Sequence, residues 1–172
     1  MTADKIYLVG FMAAGKTTVG EQLAKTLDWQ FEDIDMLIEA RERQTVADIF
    51  ARQGEAYFRS VEREMLRLVL PIRHAVIATG GGTFADADNR AAIGVDGVSV
   101  WLDVPLEHLI ARVPSDGRRP LAADREQFAQ LYAARAATYA LADVRVGCGD
   151  APAADIADRV LDALRTSGTP LA

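Results

Sequence analysis

Short apolar runs alternate along this chain with stretches of helical period. Residues 6–9, Ile-Tyr-Leu-Val, are continuously apolar, the pattern of a strand covered on both faces. The spacing then predicts a helix over Lys16–Leu27, with Val19, Leu23 and Leu27 on one side. Residues 29–33 read as a short strand ending in acids, and 35–43 as a second helix. Thr45 is the cap of a third, with Val46, Ile49 and Phe50 at helical spacing until Gly54 breaks it. Residues 55–70 form a long amphipathic helix whose apolar side carries Phe58, Val61, Met65, Leu66 and Val69, and Pro71 ends it. Ala75–Ala78 is another buried strand, running straight into Gly80, Gly81 and Gly82. The pattern assigns no element between there and a fourth strand at 98–102. Residues 105–113 read as helix, 114–120 as a polar, turn-rich loop, 126–141 as helix, 144–146 as a short last strand and 154–164 as a closing helix. The tail after Arg165 reads as frayed. Strands alternating with helices point to a layered α/β fold with a mostly parallel sheet of five strands.

Composition narrows the function classes. A chain of 172 residues is expected to be a single domain, 1–172, able to bury a sizeable core. Net charge of −6 and a pI near 4.9 argue against a sequence-independent nucleic-acid binder. An anionic substrate must then be captured by a local basic cluster. One cysteine, Cys148, allows no intrachain disulfide, and no Cys/His cluster suggests structural zinc. The N-terminus enters the first strand without the layout of a signal peptide, and no apolar run approaches the length of a membrane span. The expectation is a cytoplasmic protein without membrane or nucleic-acid partners. A monomer is expected, since no heptad or long apolar edge is visible.

The strongest chemical signal is Gly10-Phe11-Met12-Ala13-Ala14-Gly15-Lys16-Thr17-Thr18, placed between the first strand and the first helix. Its spacing is that of a phosphate-binding P-loop, G-x-x-x-x-G-K-[ST]. Successive amides at Ala13, Ala14, Gly15, Lys16 and Thr17 can curl around a phosphate. Lys16 can reach the outer phosphates, the Thr17 hydroxyl can ligate Mg²⁺, and the helix dipole adds to the attraction. The fold expectation sharpens to a three-layer αβα P-loop fold. Ligands of such sheets sit at the carboxyl ends of the strands, so the residues just after each strand are the ones to weigh.

Asp33 and Asp35 come at the end of the second strand. In extended backbone, two apart, they would point the same way, one holding Mg²⁺ through water and the other reaching a substrate hydroxyl. The alternative is that Asp35 only caps the next helix. Arg59 has Glu62 three residues on: either a solvated helix pair or a carboxylate clamp held in place by Glu62. Three consecutive glycines, Gly80 to Gly82, suit a backbone approached closely by a ligand, or a flexible turn. Arg118 and Arg119 lie in the turn-rich loop, where an arginine could close over a triphosphate. Arg112 could stack on a base or simply favour a helix C-terminus. Arg135, with Tyr139 four residues on, reads by itself as a surface residue.

Taken in order, these segments resemble the shikimate kinases, small bacterial enzymes of the nucleoside monophosphate kinase-like P-loop fold. The resemblance runs through the P-loop, Phe31-Glu32-Asp33-Ile34-Asp35, Ile38-Glu39, Ala47-Asp48-Ile49-Phe50 and Gly54-Glu55-Ala56-Tyr57-Phe58-Arg59 with Glu62. It continues through the glycine turn, Arg119-Pro120-Leu121, and Arg135 with Tyr139. It implies transfer of phosphate from ATP, with Mg²⁺, to the 3-hydroxyl of shikimate. The implied catalytic residues are Lys16, Asp35 and Arg119. ATP would be held by Ala13, Ala14, Gly15, Lys16, Thr17, Thr18, Arg112 and Arg119, and the metal by Thr17 and, through water, Asp33. Shikimate would be held by Asp35, Arg59, Gly81, Gly82 and Arg135, with about 35–62 as the substrate-binding region and about 114–123 as the lid. Ala13 stands where this family usually has glycine. A gluconate or nucleotide kinase, or a nucleotide-binding paralogue without turnover, are the competing readings.

Overall fold

The computed structural model describes residues 2–112 and 125–172. In chain order the elements are β1 (Lys5–Val9), α1 (Lys16–Leu27), β2 (Gln30–Asp33), α2 (Ile34–Glu42), α3 (Val46–Val69) and β3 (Ala75–Ala78). A 3₁₀ turn (Thr83–Ala85) comes next, then α4 (Ala87–Asp96), β4 (Val98–Asp103), α5 (Leu106–Arg112), α6 (Arg125–Tyr139), β5 (Val144–Gly147) and α7 (Ala153–Thr166). The five strands form one sheet in the order β2-β3-β1-β4-β5. Every pairing is parallel, and Ile6 in the central strand lies between Val76 and Val98. A strand flanked on both edges and covered on both faces must be apolar throughout; Ile6, Tyr7, Leu8 and Val9 are all fully buried.

Local signals fix where the helices begin. Asp33, at φ −122° and ψ 118°, caps α2 by accepting from the amides of Asp35 and Met36. Thr45 caps α3 by accepting from Asp48, and Asp86 caps α4 by accepting from Asp88 and Asn89. Each such cap contributes about 1 kcal/mol. Gly54, at φ 83° and ψ 172°, interrupts α3 where the sequence predicts a break.

The expected five-stranded parallel sheet is borne out, with every pairing among the described residues parallel. Two details differ from the sequence expectation. Helix α4 fills the gap in which the sequence pattern assigns nothing. The tail is not frayed: Leu171 bridges to Ala3, the Ala3 amide donates to Pro170 at 2.8 Å, and the Ala172 amide donates back to Ala3 at 2.9 Å. Among the described residues no helix is long and apolar enough to cross a membrane.

Connections run from β1 outward to β2, back to β3, then past β1 to β4. The loops at the carboxyl ends of β1, β2 and β3 therefore converge on one mouth, the position at which doubly wound sheets bind ligands.

Candidate active site

That mouth is a cleft of about 780 Å³. Its floor is the loop after β1. Gly15, at φ 92°, adopts the left-handed conformation that only glycine takes without strain, and it caps α1 with no side chain in the way. Ala13 is also left-handed, at φ 63°, which costs an alanine about 1 kcal/mol. Lys16 lies back across the loop, its Nζ donating to the carbonyls of Gly10 and Phe11 at 2.8 Å each. The helix start and the lysine thus face one small volume with positive potential, the requirement for a bound phosphate chain.

Beside the loop, the Thr17 hydroxyl donates to Asp33 Oδ2 at 2.6 Å. Asp33 Oδ1 is occupied by the α2 amides. The geometry differs from the sequence expectation: the two aspartates do not share an extended segment. Asp33 ends β2 and caps the helix, whereas Asp35 sits within the first turn of α2. This separates their tasks. Asp33 is held toward Thr17, and Asp35 Oδ1 is sealed from solvent without a hydrogen-bond partner among the described residues. Burial, then the neighbouring charges of Asp33 and Glu62, push the Asp35 carboxyl up to about 6, against the pull of Lys16.

Next to Asp35 stands a cluster assembled from three elements. Arg59 on α3 donates through Nη1 to both oxygens of Glu62, at 2.9 and 3.2 Å. Burial pulls the Arg59 guanidinium down, but Glu62 and Glu55 outweigh it and leave it above its usual value. Its guanidinium lies across Gly82 so closely that a Cβ there would come within 2.4 to 2.6 Å of it. A side chain at this position would push the guanidinium aside. Arg135 on α6 reaches the same turn, donating to the Gly82 carbonyl at 3.4 Å. The Tyr139 hydroxyl donates to the Gly81 carbonyl, and Gly81 itself backs onto the amide of Met12 in the loop. Arg112 spans the far rim, from the Gly149 carbonyl at 3.1 Å to that of Ala13 at 3.4 Å.

Ala13, Ala14, Gly15, Lys16, Thr17, Thr18, Asp33, Asp35, Arg59, Gly81, Gly82, Arg112 and Arg135 all line this one cleft. Arg119 and the 114–123 segment lie outside the described residues. Sequence reasoning passes over Phe50 and Phe58, read as core, although both also wall the cleft. Their apolar signal is that of any core position. It also passes over Glu39, which lines the cleft and accepts from the Val46 amide at 2.8 Å, tying α2 to α3.

A phosphate-binding loop facing a poised carboxylate and two arginines, on a parallel P-loop sheet, defines a small-molecule phosphotransferase. A family model described as shikimate kinase matches residues 12–165. The shikimate kinase of Persephonella marina is 40% identical over 161 residues, 93% of this chain and 98% of that one. The enzyme of Cereibacter sphaeroides is 42% identical over 164 residues, 94% of this chain and 82% of that one. Among solved structures, shikimate kinase from Acinetobacter baumannii in complex with shikimate superposes with a TM-score of 0.91 at 34% identity, covering 96% of this chain and 94% of that one. The chain belongs to the shikimate kinase family. A gluconokinase from Sinorhizobium meliloti, at 16% identity and a TM-score of 0.58, shares the fold alone.

Proposed function

We propose that this cleft transfers the γ-phosphoryl group of ATP to the 3-hydroxyl of shikimate, giving ADP and shikimate 3-phosphate on the route to chorismate. One observation carries the reading: the P-loop and the Asp35, Arg59 and Arg135 set open into the same cleft. An acceptor for that set carries both a carboxylate and hydroxyls. Arg59 has a planar fork, suited to bidentate pairing with a carboxylate. Arg135 reaches the same Gly82 turn from α6, so the two form a clamp.

Phosphoryl transfer asks little covalent work of the protein; orientation and charge neutralisation supply most of the rate. The P-loop amides hold the phosphates and Lys16 swings from its loop carbonyls to the bridging and outer oxygens. Asp35 accepts the proton of the attacking hydroxyl. A carboxyl poised near 6 is ionised at neutral pH yet more basic than an ordinary aspartate. Gly81 offers backbone to the ring hydroxyls, Arg112 covers the base, and the family resemblance assigns Arg119 to the ATP phosphates.

Mg²⁺ fits the donors present. Thr17 Oγ1 and Asp33 Oδ2 are hard oxygens 2.6 Å apart at the phosphate side of the cleft, and Mg²⁺ takes one or two protein oxygens plus phosphate and water. When bound it would neutralise charge on the outer phosphates. Action as a monomer is part of the same proposal. The test monitors ADP release and the ³¹P NMR spectrum with Mg²⁺-ATP and shikimate. One phosphomonoester per ADP, at the 3-position, is expected; ADP without a phosphorylated acceptor would contradict the reading.

A further inference from the structure

One hydroxyl in the turn after β3 has no part in the chemistry above. Thr83 is fully buried. Its amide donates to the Gly80 carbonyl at 3.1 Å, and its carbonyl accepts from Asn89 Nδ2 at 3.2 Å, so its main chain is fixed from both sides. Its Oγ1 lies 2.8 Å from Glu62 Oε2. Glu62 is 0% exposed, and paired with Arg59 it is an anion that can only accept, so Thr83 supplies the proton of that bond. A carboxylate this deep keeps its position only while its lone pairs are filled. Arg59 Nη1 fills part of them, and Thr83 supplies the donor from the other side. There is no slack around the relay. A Cβ at Gly80 would lie 2.9 Å from Glu62 Oε2 and 3.1 Å from Thr83 Oγ1.

We infer that Thr83 is a positioning residue for acceptor binding: its hydroxyl fixes Glu62, and Glu62 holds the Arg59 fork over Gly82, already oriented for the acceptor's carboxylate. The inference rests on the clamp assigned to Arg59 above. Preorganisation of this kind raises affinity by removing the cost of ordering the arginine on binding. It acts on the acceptor and leaves ATP, held by the P-loop, untouched.

The experiment measures kcat and both KM values for Thr83→Val, which keeps the shape and removes the hydroxyl, and for Thr83→Ser, which keeps the hydroxyl. Thr83→Ala replaces the valine variant if that one does not fold. Removing the hydroxyl should raise KM for shikimate about tenfold, the scale of one hydrogen bond to a charged group. KM for ATP and kcat should stay within about twofold, and serine should restore the parent values. In an Arg59→Ala background, Thr83→Val should add nothing, because it acts only through the arginine. Equal losses for ATP and shikimate, or full additivity in the double variant, would overturn the relay. If Arg59→Ala weakens shikimate and Thr83→Val does not, the clamp stands and the role of Thr83 falls. If Arg59→Ala leaves shikimate binding unchanged, the clamp itself is wrong and the relay falls with it.

Discussion

Two clusters of buried charge sit at opposite ends of the sheet, and they are built on opposite terms. At the amino end, Lys5 opens β1 with no exposed surface. Its ammonium donates to the Val69 carbonyl at 3.2 Å, the Leu70 carbonyl at 2.7 Å and Asp96 Oδ2 at 2.5 Å. Three acceptors match three ammonium hydrogens, and two of them are carbonyls at the end of α3, where a cation is favoured. The Tyr7 hydroxyl donates to the same Asp96 oxygen. Burial, then that carboxylate, push the phenol above its ordinary range. At the carboxyl end, Asp35 has a sealed oxygen with no hydrogen-bond partner among the described residues and two like charges beside it, and Ala13 is held in a left-handed conformation. Charge with its partners complete ties β1, α3 and α4 together. Charge left incomplete is suited to receiving a ligand. The fold is secured at one end and activity is placed at the other.

Substitutions can break this contrast, and the largest effect belongs to the catalytic end. Lys16→Met should cut kcat by at least about 10³-fold with the melting temperature nearly unchanged; retained turnover would remove the P-loop assignment. Asp96→Ala should do the reverse. It leaves Lys5 buried without its counter-ion and should cost about 3–5 kcal/mol in urea unfolding, with both KM values intact where the protein stays folded. A shift in either KM would mean that the two ends are coupled. Arg59→Ala or Arg135→Ala should weaken shikimate by about 10- to 100-fold, a loss of charge-assisted hydrogen bonds, while ATP is little affected. Equal effects on both ligands would contradict the clamp.

Asp35→Asn separates the two properties within one residue. The native carboxyl holds its proton up to about 6, against an ordinary value of 3.8, so the folded protein binds that proton more tightly than the unfolded chain does. Ionising it therefore costs stability, a cost that grows from about pH 4 to pH 6 and is complete above. Asparagine removes it. The variant should be more stable than the parent at pH 8, by about 1–3 kcal/mol, and equally stable at about pH 3.5. Turnover should fall about 10²- to 10⁴-fold, and the parent's own activity should decline as pH drops through about 6. The smallest effect is expected of Ala13→Gly. Relief of the left-handed alanine is partly offset by the greater freedom of glycine in the unfolded chain. About 0.5 kcal/mol of added stability should remain, measurable as a shift in melting temperature of about 1 or 2 °C.

The two ends also differ in how far a reader of the sequence could see them. The P-loop is legible because its chemistry is carried by contiguous backbone, so a spacing is enough. Its strand, its helix and the break at Gly54 obey the same local rules. The acceptor side is spread over α2, α3, the turn after β3, and α6. Arg59 alone reads as a surface helix pair, and only the ordered resemblance singles it out. That Asp33 rather than Asp35 caps α2 depends on where β2 stops, and the spacing of two carboxylates leaves that open. Helix α4 escapes because its one deeply buried apolar side chain, Ile93, gives no stripe; Asp86 ahead of it is the available signal, a cap with acidic and amide residues after it. Lys5 as a strand residue, Thr83 beneath Glu62, and the docking of Leu171 on Ala3 all rest on partners far away in sequence, which no local pattern encodes.

The acceptor defines what this site does. The deciding measurement is kcat/KM with Mg²⁺-ATP for shikimate, quinate, gluconate and a nucleoside monophosphate in one coupled ADP-release assay. Turnover with shikimate and none with the other three is the predicted result. Turnover confined to a different acceptor would keep the P-loop fold and contradict the roles given to Asp35, Arg59 and Arg135.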